Sequence, residues 1–285
     1  MNYSQIACFQ QCPRRYQYSY VELLQKIEEG KAEKDRNWGR GIHAGLAMHY
    51  TGKDWDVIQG AFQKEYPVTL DPDDLAKSVE SGLSTLELYR NYYKEQDKNW
   101  KVLEVEVKDK FVFNEVEFTV VLDLIAENLQ GGGIYFWDHK TSGRTPTFNY
   151  WKQYELSAQL SDYTNYVVSK YGQCSGAIIN NISVGHRKRA YKGEPAGFWA
   201  KFERQIFNRT KAMLEARKED VVLWKKLIEN AERDKSFPLH YGQGCTYCSF
   251  YELCLACGDE QIKELMYEKK RTNTTPQQEP EEIEA

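Results

Sequence analysis

From Val116 to Ala126 every even-numbered position is apolar: Val116, Phe118, Val120, Leu122, Leu124 and Ala126. Side chains alternate across a strand, so this period of two predicts a strand with one buried face. Asp123 then points to the other face, beside Val121 and Ile125. After N-L-Q-G-G-G, a glycine-rich turn, the run I-Y-F-W-D-H-K-T-S predicts the second strand of a hairpin. There Ile134, Phe136, Asp138 and Lys140 share one face, and His139 turns to the opposite one. Upstream, K-V-L-E-V-E-V-K-D-K-F-V-F also alternates, with Leu103, Val105 and Val107 on one side and Glu104, Glu106 and Lys108 on the other.

Helical spacing fills most of the rest. Ser4 caps a short helix carrying Ile6, Cys8, Phe9 and Cys12, and Pro13 opens a second segment. After a polar stretch from Glu28 to Arg36, the spacing Ile42, Leu46, Tyr50 predicts a helix with His43 near its start. Trp55–Tyr66 and Asp71–Asp97 read as further helices, the latter with an Asp71 cap followed by Pro72. Tyr150–Tyr171 reads as one amphipathic helix with Leu156, Leu160, Tyr163 and Val167 on its stripe. A-I-I-N-N-I-S-V predicts a closing strand, and roughly Phe198–Asp234 a long helix. The expected class is α/β, a mixed central sheet flanked by helices. Residues 269–285, rich in Thr, Gln, Pro and Glu, read as a disordered acidic tail.

Composition changes this picture little. With 285 residues, 20 Tyr, 12 Phe and 7 Trp the chain can bury a large core. The net charge is −4, and Glu279, Glu281, Glu282 and Glu284 lie in the tail, so the body is near neutral. Any nucleic-acid surface must therefore be a local patch. The sharpest basic cluster is Arg187, Lys188, Arg189 and Lys192, interleaved with His186 and Tyr191. No apolar run approaches the ~20 residues of a membrane helix and no signal peptide is visible, so the expectation is a soluble cytoplasmic protein. Seven cysteines in a reducing compartment favour metal ligands or core residues over disulfides. Cys245, Cys248 and Cys254 have C-x2-C-x5-C spacing, which needs a fourth ligand from elsewhere, for iron–sulfur or zinc.

Asp138 and Lys140 at a strand end, with Asp123 on the neighbouring strand, suit metal-assisted phosphodiester hydrolysis. Mg²⁺ takes hard oxygen ligands from one or two carboxylates, and a nearby lysine orients water or stabilises charge. This pattern, Asp123 followed by Asp138-His139-Lys140-Thr141 and Gly143, resembles the PD-(D/E)XK nucleases and most closely their RecB-like branch. That branch usually carries glycine three residues before the first aspartate; here it is Val120.

The resemblance implies a restriction-endonuclease-like core, with Asp123 and Asp138 as ligands of Mg²⁺ or Mn²⁺, joined by His43 and the backbone of His139. It implies Lys140 as the water-positioning cation, Glu106 on the preceding strand as an assisting acid, and Gln159 and Tyr163 as the Q-x-x-x-Y pair. The cysteines resemble the iron–sulfur subset, the AddB nuclease domain and the CRISPR-adaptation exonucleases. In these one amino-terminal cysteine joins three carboxy-terminal ones around a [4Fe–4S] cluster. The implied ligands are Cys12, Cys245, Cys248 and Cys254, with Cys8 the rival of Cys12 and Cys257 of Cys254; zinc is the alternative occupant. The expected domain is residues 1–268, its core about 38–195 and its iron–sulfur lobe from 1–20 and 196–258. The expected activity is a DNA exonuclease acting on free ends in recombination or repair, phage-encoded in the host cytoplasm or bacterial. The alternatives are a CRISPR-adaptation nuclease and a non-catalytic nucleic-acid-binding scaffold. A single-strand-annealing or CRISPR-adaptation protein is the expected partner, with DNA as substrate.

Overall fold

The computed structural model describes residues 1–27, 31–67, 75–190 and 192–270, with the backbone alone at 31–33. The expected Asp71 cap, Pro72, Tyr191 and nearly all of the tail lie outside these residues. In chain order come α1 (Tyr3–Gln11), α2 (Pro13–Tyr16), a π-helical turn (Gln17–Val21), β1 (Leu24–Lys26), α3 (Lys31–Tyr50), α4 (Trp55–Glu65) and α5 (Val79–Tyr93). There follow β2 (Trp100–Phe113), β3 (Val116–Asn128), β4 (Ile134–Ser142), α6 (Phe148–Lys152), α7 (Ala158–Tyr171), β5 (Gly176–Arg187) and β6 (Gly197–Phe207). The chain continues through α8 (Lys211–Arg233), α9 (Tyr251–Leu255), α10 (Glu260–Met266) and β7 (Tyr267–Lys269). Among the described residues no helix is long and apolar enough to cross a membrane.

The chain divides into two compact units. The first is residues 1–6 and 28–227; the second joins residues 7–27 to the chain from 228 onward. In the first, five strands form one mixed sheet in the order β2-β3-β4-β5-β6. Only β4–β5 is parallel. The alternation of β3 is realised as expected: Val116, Phe118, Val120, Leu122 and Leu124 are all buried. One face packs on α3, α4 and α5 through Trp38, Ile42, Leu46, Ile58, Phe62, Leu86 and Tyr89 against Ile182, Val184 and Phe202. On the other, Tyr163 and Tyr166 of α7 meet Phe136 and Phe111 edge-on. Behind α7, buried Arg217 of α8 grips Asp162 bidentately at 2.7 and 2.9 Å.

Two expected helices come out differently. Residues 198–207 form strand β6, not the start of a long helix, because Phe198, Ala200, Phe202 and Ile206 also satisfy a period of two. Arg204 hides that alternation, being an apolar-face position filled by a cation. Its guanidinium is buried on Asp97 at 2.5 Å and against the rings of Tyr93 and Trp137. Tyr150–Tyr171 is two helices, each restarted by a hydroxyl cap: Thr147 accepts from the Tyr150 amide and Ser157 from that of Leu160. Leu156 falls in the gap between them and is exposed rather than on an apolar stripe.

In the second unit β1 and β7 make a three-pair antiparallel ladder beside a cluster of Tyr18, Leu24, Phe250, Leu253 and Tyr267. Arg14 Nε donates to the Phe237 carbonyl at 2.9 Å, and the Tyr16 hydroxyl to Glu232 at 2.8 Å. Lys26 pairs with Glu252 at 3.0 Å. These bonds cross more than two hundred positions of sequence, which is how a small lobe forms from two distant segments.

Helices α3, α4 and α5 can lie this close together because of glycines at their contacts. A Cβ at Gly45 would come within 2.5 Å of Leu86, and one at Gly82 of α5 within 2.0 Å of the Phe62 ring. Gly82→Ala should therefore lower stability by about 1–3 kcal/mol despite alanine's better helix propensity. Denaturant unfolding measures it, and an unchanged or raised midpoint would contradict this packing.

Candidate active site

The site forms where the sheet opens. Strands β3 and β4 pair for only four residues, from Glu127–Ile134 to Leu124–Trp137. β4 goes on alongside β5 as far as Ser142–Ser183. Past Trp137 the backbone amide of His139 has lost its strand partner on that side. It donates instead to Asp123 Oδ2 at 2.6 Å. The other oxygen of Asp123 faces His43 Nδ1 of α3 at 3.1 Å.

Glu106 completes the group. It comes opposite Asp123, between the pairs Val105–Leu124 and Val107–Leu122. Its backbone is left-handed, with φ +51°. Such a conformation is costly for a residue with a Cβ. It breaks the simple alternation read along this strand, where a register shift also falls between Val102 and Glu104. As a result Glu104 goes to α7, bonding Lys170 and Tyr171, while the Glu106 carboxyl turns toward Asp123. His43, Glu106 and Asp123 bring one ligand atom each within 4.8 Å of one another. The 3.1 Å between His43 and Asp123 approximates the ~3.0 Å edge of an octahedron with ligands at about 2.1 Å, the Mg²⁺ geometry. One imidazole and two carboxylates are thus a donor set that fits a hard divalent cation.

Asp138 stands beside this triad with its carboxylate on Lys140, 2.8 Å from the ammonium. Asp138 Oδ2 has no hydrogen-bond partner beyond this ion pair. Gln159 Nε2 donates to the Tyr163 hydroxyl at 3.1 Å, so the Q-x-x-x-Y pair is formed on α7. His139 lies on the opposite face, as alternation requires. It is buried, parallel to Tyr50 and 2.8 Å from Asn180.

Charge is sorted sharply over this small region. Burial works against the Asp123 carboxylate, but the hydrogen bond and charge of His43 and the His139 amide outweigh it and hold its pKa at about 2. Burial raises Asp138, with Lys140 only partly compensating. Removal from water and the charge of Asp123 likewise raise Glu106. Burial opposes the charged forms of His43 and Lys140, yet their carboxylate partners prevail and raise both. Burial pushes His139 down to about 3, so it stays neutral.

A second candidate centre lies in the second unit. Cys12, Cys245, Cys248 and Cys254 line one cavity of about 590 Å³, with Cys8 and Cys257 outside its lining. Burial, then the charges of Cys248, Cys12 and Cys245, push the Cys254 thiol up to about 11. Cys174 is apart, its thiol on the Gly176 carbonyl. The basic cluster sits at the tip of the β5–β6 hairpin. Arg187 is tied to Glu194 at 3.2 Å and packed over Trp199, while Lys188, Arg189 and Lys192 are exposed.

Sequence reasoning missed what lies behind His139. Asn180 Nδ2 donates to the Tyr89 hydroxyl at 2.8 Å, which meets Tyr50 at 2.7 Å and Arg204 at 2.8 Å. The signal was the pair Asn180-Asn181 interrupting an apolar strand. Asn181 turns the other way and accepts from Tyr150 at 2.7 Å.

An α/β sheet that opens to gather a histidine and carboxylates beside a lysine–aspartate pair offers a donor set of the kind a divalent cation takes. The chain belongs to the PD-(D/E)XK nuclease superfamily, whose sequence profile matches residues 1–255. It is thus a nuclease, with nucleic acid as its substrate class, and members of the superfamily use divalent cations. No curated protein sequence matches it. Among solved structures it is similar in fold to a candidate exonuclease from Eubacterium rectale, at 12% identity over 87% of each chain and a TM-score of 0.52. The structure of SSO0001 aligns with 76% of this chain and 84% of its own at 14% identity. Its TM-score of 0.31 is too low to bear on the fold.

A cation held by His43 would have to displace its proton, so its binding should follow pH. Mn²⁺ affinity, read by calorimetry, should weaken about tenfold per pH unit once the pH falls below the raised pKa of His43. His43→Asn should bind more weakly overall but lose that slope until the carboxylates protonate. A pH-independent wild-type affinity across the histidine range would remove His43 from the ligands.

Proposed function

We propose that the chain is a Mg²⁺- or Mn²⁺-dependent DNA exonuclease of the RecB-like branch, serving recombination or repair. The observation that carries this reading is the His43–Glu106–Asp123 triad set beside the Asp138–Lys140 pair. His43, Glu106 and Asp123 would hold the cation, with Asp138 as the adjoining carboxylate. When bound, the ion supplies a polarised phosphoryl oxygen and a water of lowered pKa. Lys140, kept charged by Asp138, orients that water and offsets the charge that develops on phosphate. Tyr163, fixed by Gln159, bounds the same face. The motif order along the chain supports the RecB-like placement, since Q-x-x-x-Y follows D-x-K on the next long helix.

In the second unit we assign a [4Fe–4S] cluster to Cys12, Cys245, Cys248 and Cys254. Four thiols around one cavity suit a cluster, which takes four thiolates. Zinc would need sulfurs about 3.8 Å apart, from Zn–S bonds of ~2.3 Å. Among the described residues no three cysteine sulfurs lie within 4.8 Å of one another.

End-labelled single- and double-stranded DNA, incubated with Mg²⁺ or Mn²⁺, tests the activity. Asp138→Asn should abolish cleavage while DNA binding survives, and Lys140→Ala should lower turnover on the order of 10²-fold or more with metal binding retained. Full cleavage by both variants would sink the assignment, and products cut only internally would exclude an exonuclease.

For the lobe, anaerobically purified protein should be brown and contain iron and sulfide. Cys248→Ser should lose iron and stability together, because ligation energy is folding energy. One zinc per colourless chain would exclude the iron–sulfur cluster.

A further inference from the structure

The groove in front of the triad, about 760 Å³, is walled by Arg36 and Arg40 of α3, Lys64 of α4 and Lys108 of β2. The Arg187–Lys192 tip contributes nothing to its lining. Arg36, Arg40 and His43 stand at i, i+4 and i+7, so they form one stripe along α3 that ends at the metal ligands. Four residues of helix rise about 6 Å, comparable to the step between successive phosphates of an extended strand.

Between the cations the groove is lined by small side chains, Gly39, Ala44, Ala47 and Ala61, which leave a trough rather than a ridge. Arg40 is steadied by Glu65 at 2.7 Å, yet 62% of its side chain remains exposed. Lys64 and Lys108 are exposed, with no carboxylate within 4.0 Å among the described residues. The hairpin tip differs, since Arg187 there is already engaged by Glu194 and Trp199. A near-neutral chain whose metal ligands are anionic needs a local positive surface where phosphate approaches them. Asp35 and Glu65 also line the groove, but Asp35 is paired with Lys77 at 3.0 Å and Glu65 with Arg40. Lys64 and Lys108 therefore leave the surface positive, with Arg36 and Arg40 on the helix that carries His43.

We propose that Arg36, Arg40, Lys64 and Lys108 form a track gripping the sugar–phosphate backbone of a single nucleic-acid strand next to the scissile phosphate. The track reads phosphate and no base, so binding along it is indifferent to sequence. The step of about 6 Å from Arg36 to Arg40 matches successive phosphates of one extended strand, so the track takes a single strand. The inference rests on the nuclease reading of the triad.

The test uses the full chain with Ca²⁺ and fluorescent single-stranded oligonucleotides of two unrelated sequences, measured across a salt series. The variant Arg36→Gln/Lys64→Gln/Lys108→Gln leaves the Arg40–Glu65 pair intact. Each lost phosphate contact flattens the log–log salt slope by about 0.7, so the triple variant should lose about 2 from it for both sequences. Mn²⁺ affinity should not fall, since none of the three is a candidate ligand and losing nearby positive charge favours a cation. Should the triple variant fold poorly, the exposed single variant Lys64→Gln must still lose about 0.7 of slope.

An unaltered slope in these variants overturns the track. So does a loss of slope on Lys188→Gln/Arg189→Gln instead, which would move the strand to the hairpin tip. Wild-type binding confined to duplex overturns the single-strand fit. A wild type that binds no nucleic acid sinks the nuclease reading together with the track. One that binds and cuts, with variants indistinguishable from it, sinks the track alone.

Discussion

The site depends on one hydrogen bond made where two strands part. An amide at the end of a ladder, buried and unpaired, costs about 1–3 kcal/mol. Here that amide, from His139, is taken by Asp123, so the parting of β3 from β4 is stabilised by the residue that it exposes. The bond also fixes which oxygen of Asp123 turns to His43. Glu106 enters from the other side only because its backbone accepts a left-handed φ. Strand geometry, backbone strain and the candidate metal donors are one arrangement rather than three.

Behind the charged front of the site lies a neutral back. His139 is held uncharged, and its neighbours are amide, phenol and indole groups; the ion pair of Arg204 with Asp97 nearby is capped by aromatic rings. A charged imidazole there would compete with any divalent cation for Asp123. Burial removes that competition, which explains how a histidine can separate Asp138 from Lys140 without joining their chemistry.

Much of this was legible in the sequence because a half-buried strand writes its faces as a period of two. The hairpin of β3 and β4, the opposed directions of Asp138 and His139, and the Gln159–Tyr163 pair all follow from spacing. Glu106 needed more: its facing follows from a strained φ that glutamate does not announce, so only family resemblance singled it out. β6 failed for a different reason. Its one charged inward position, Arg204, is stabilised by Asp97, 107 positions away, and no local pattern records such a partner. The break before α7 was written in Ser157, but an apolar Leu156 disguised it as a continuing stripe.

The second unit draws on residues 7–27 and on the chain from 228 onward, with the whole sheet encoded between them. Chains are synthesised from the amino terminus, and contacts of large sequence separation form late. Cys12 leaves the ribosome long before Cys245, Cys248 and Cys254 exist. During that interval the early segment waits unpartnered while the nuclease core folds. Assembly of the cysteine lobe then has to wait until translation has passed Cys254, so a chain halted within the sheet cannot form it.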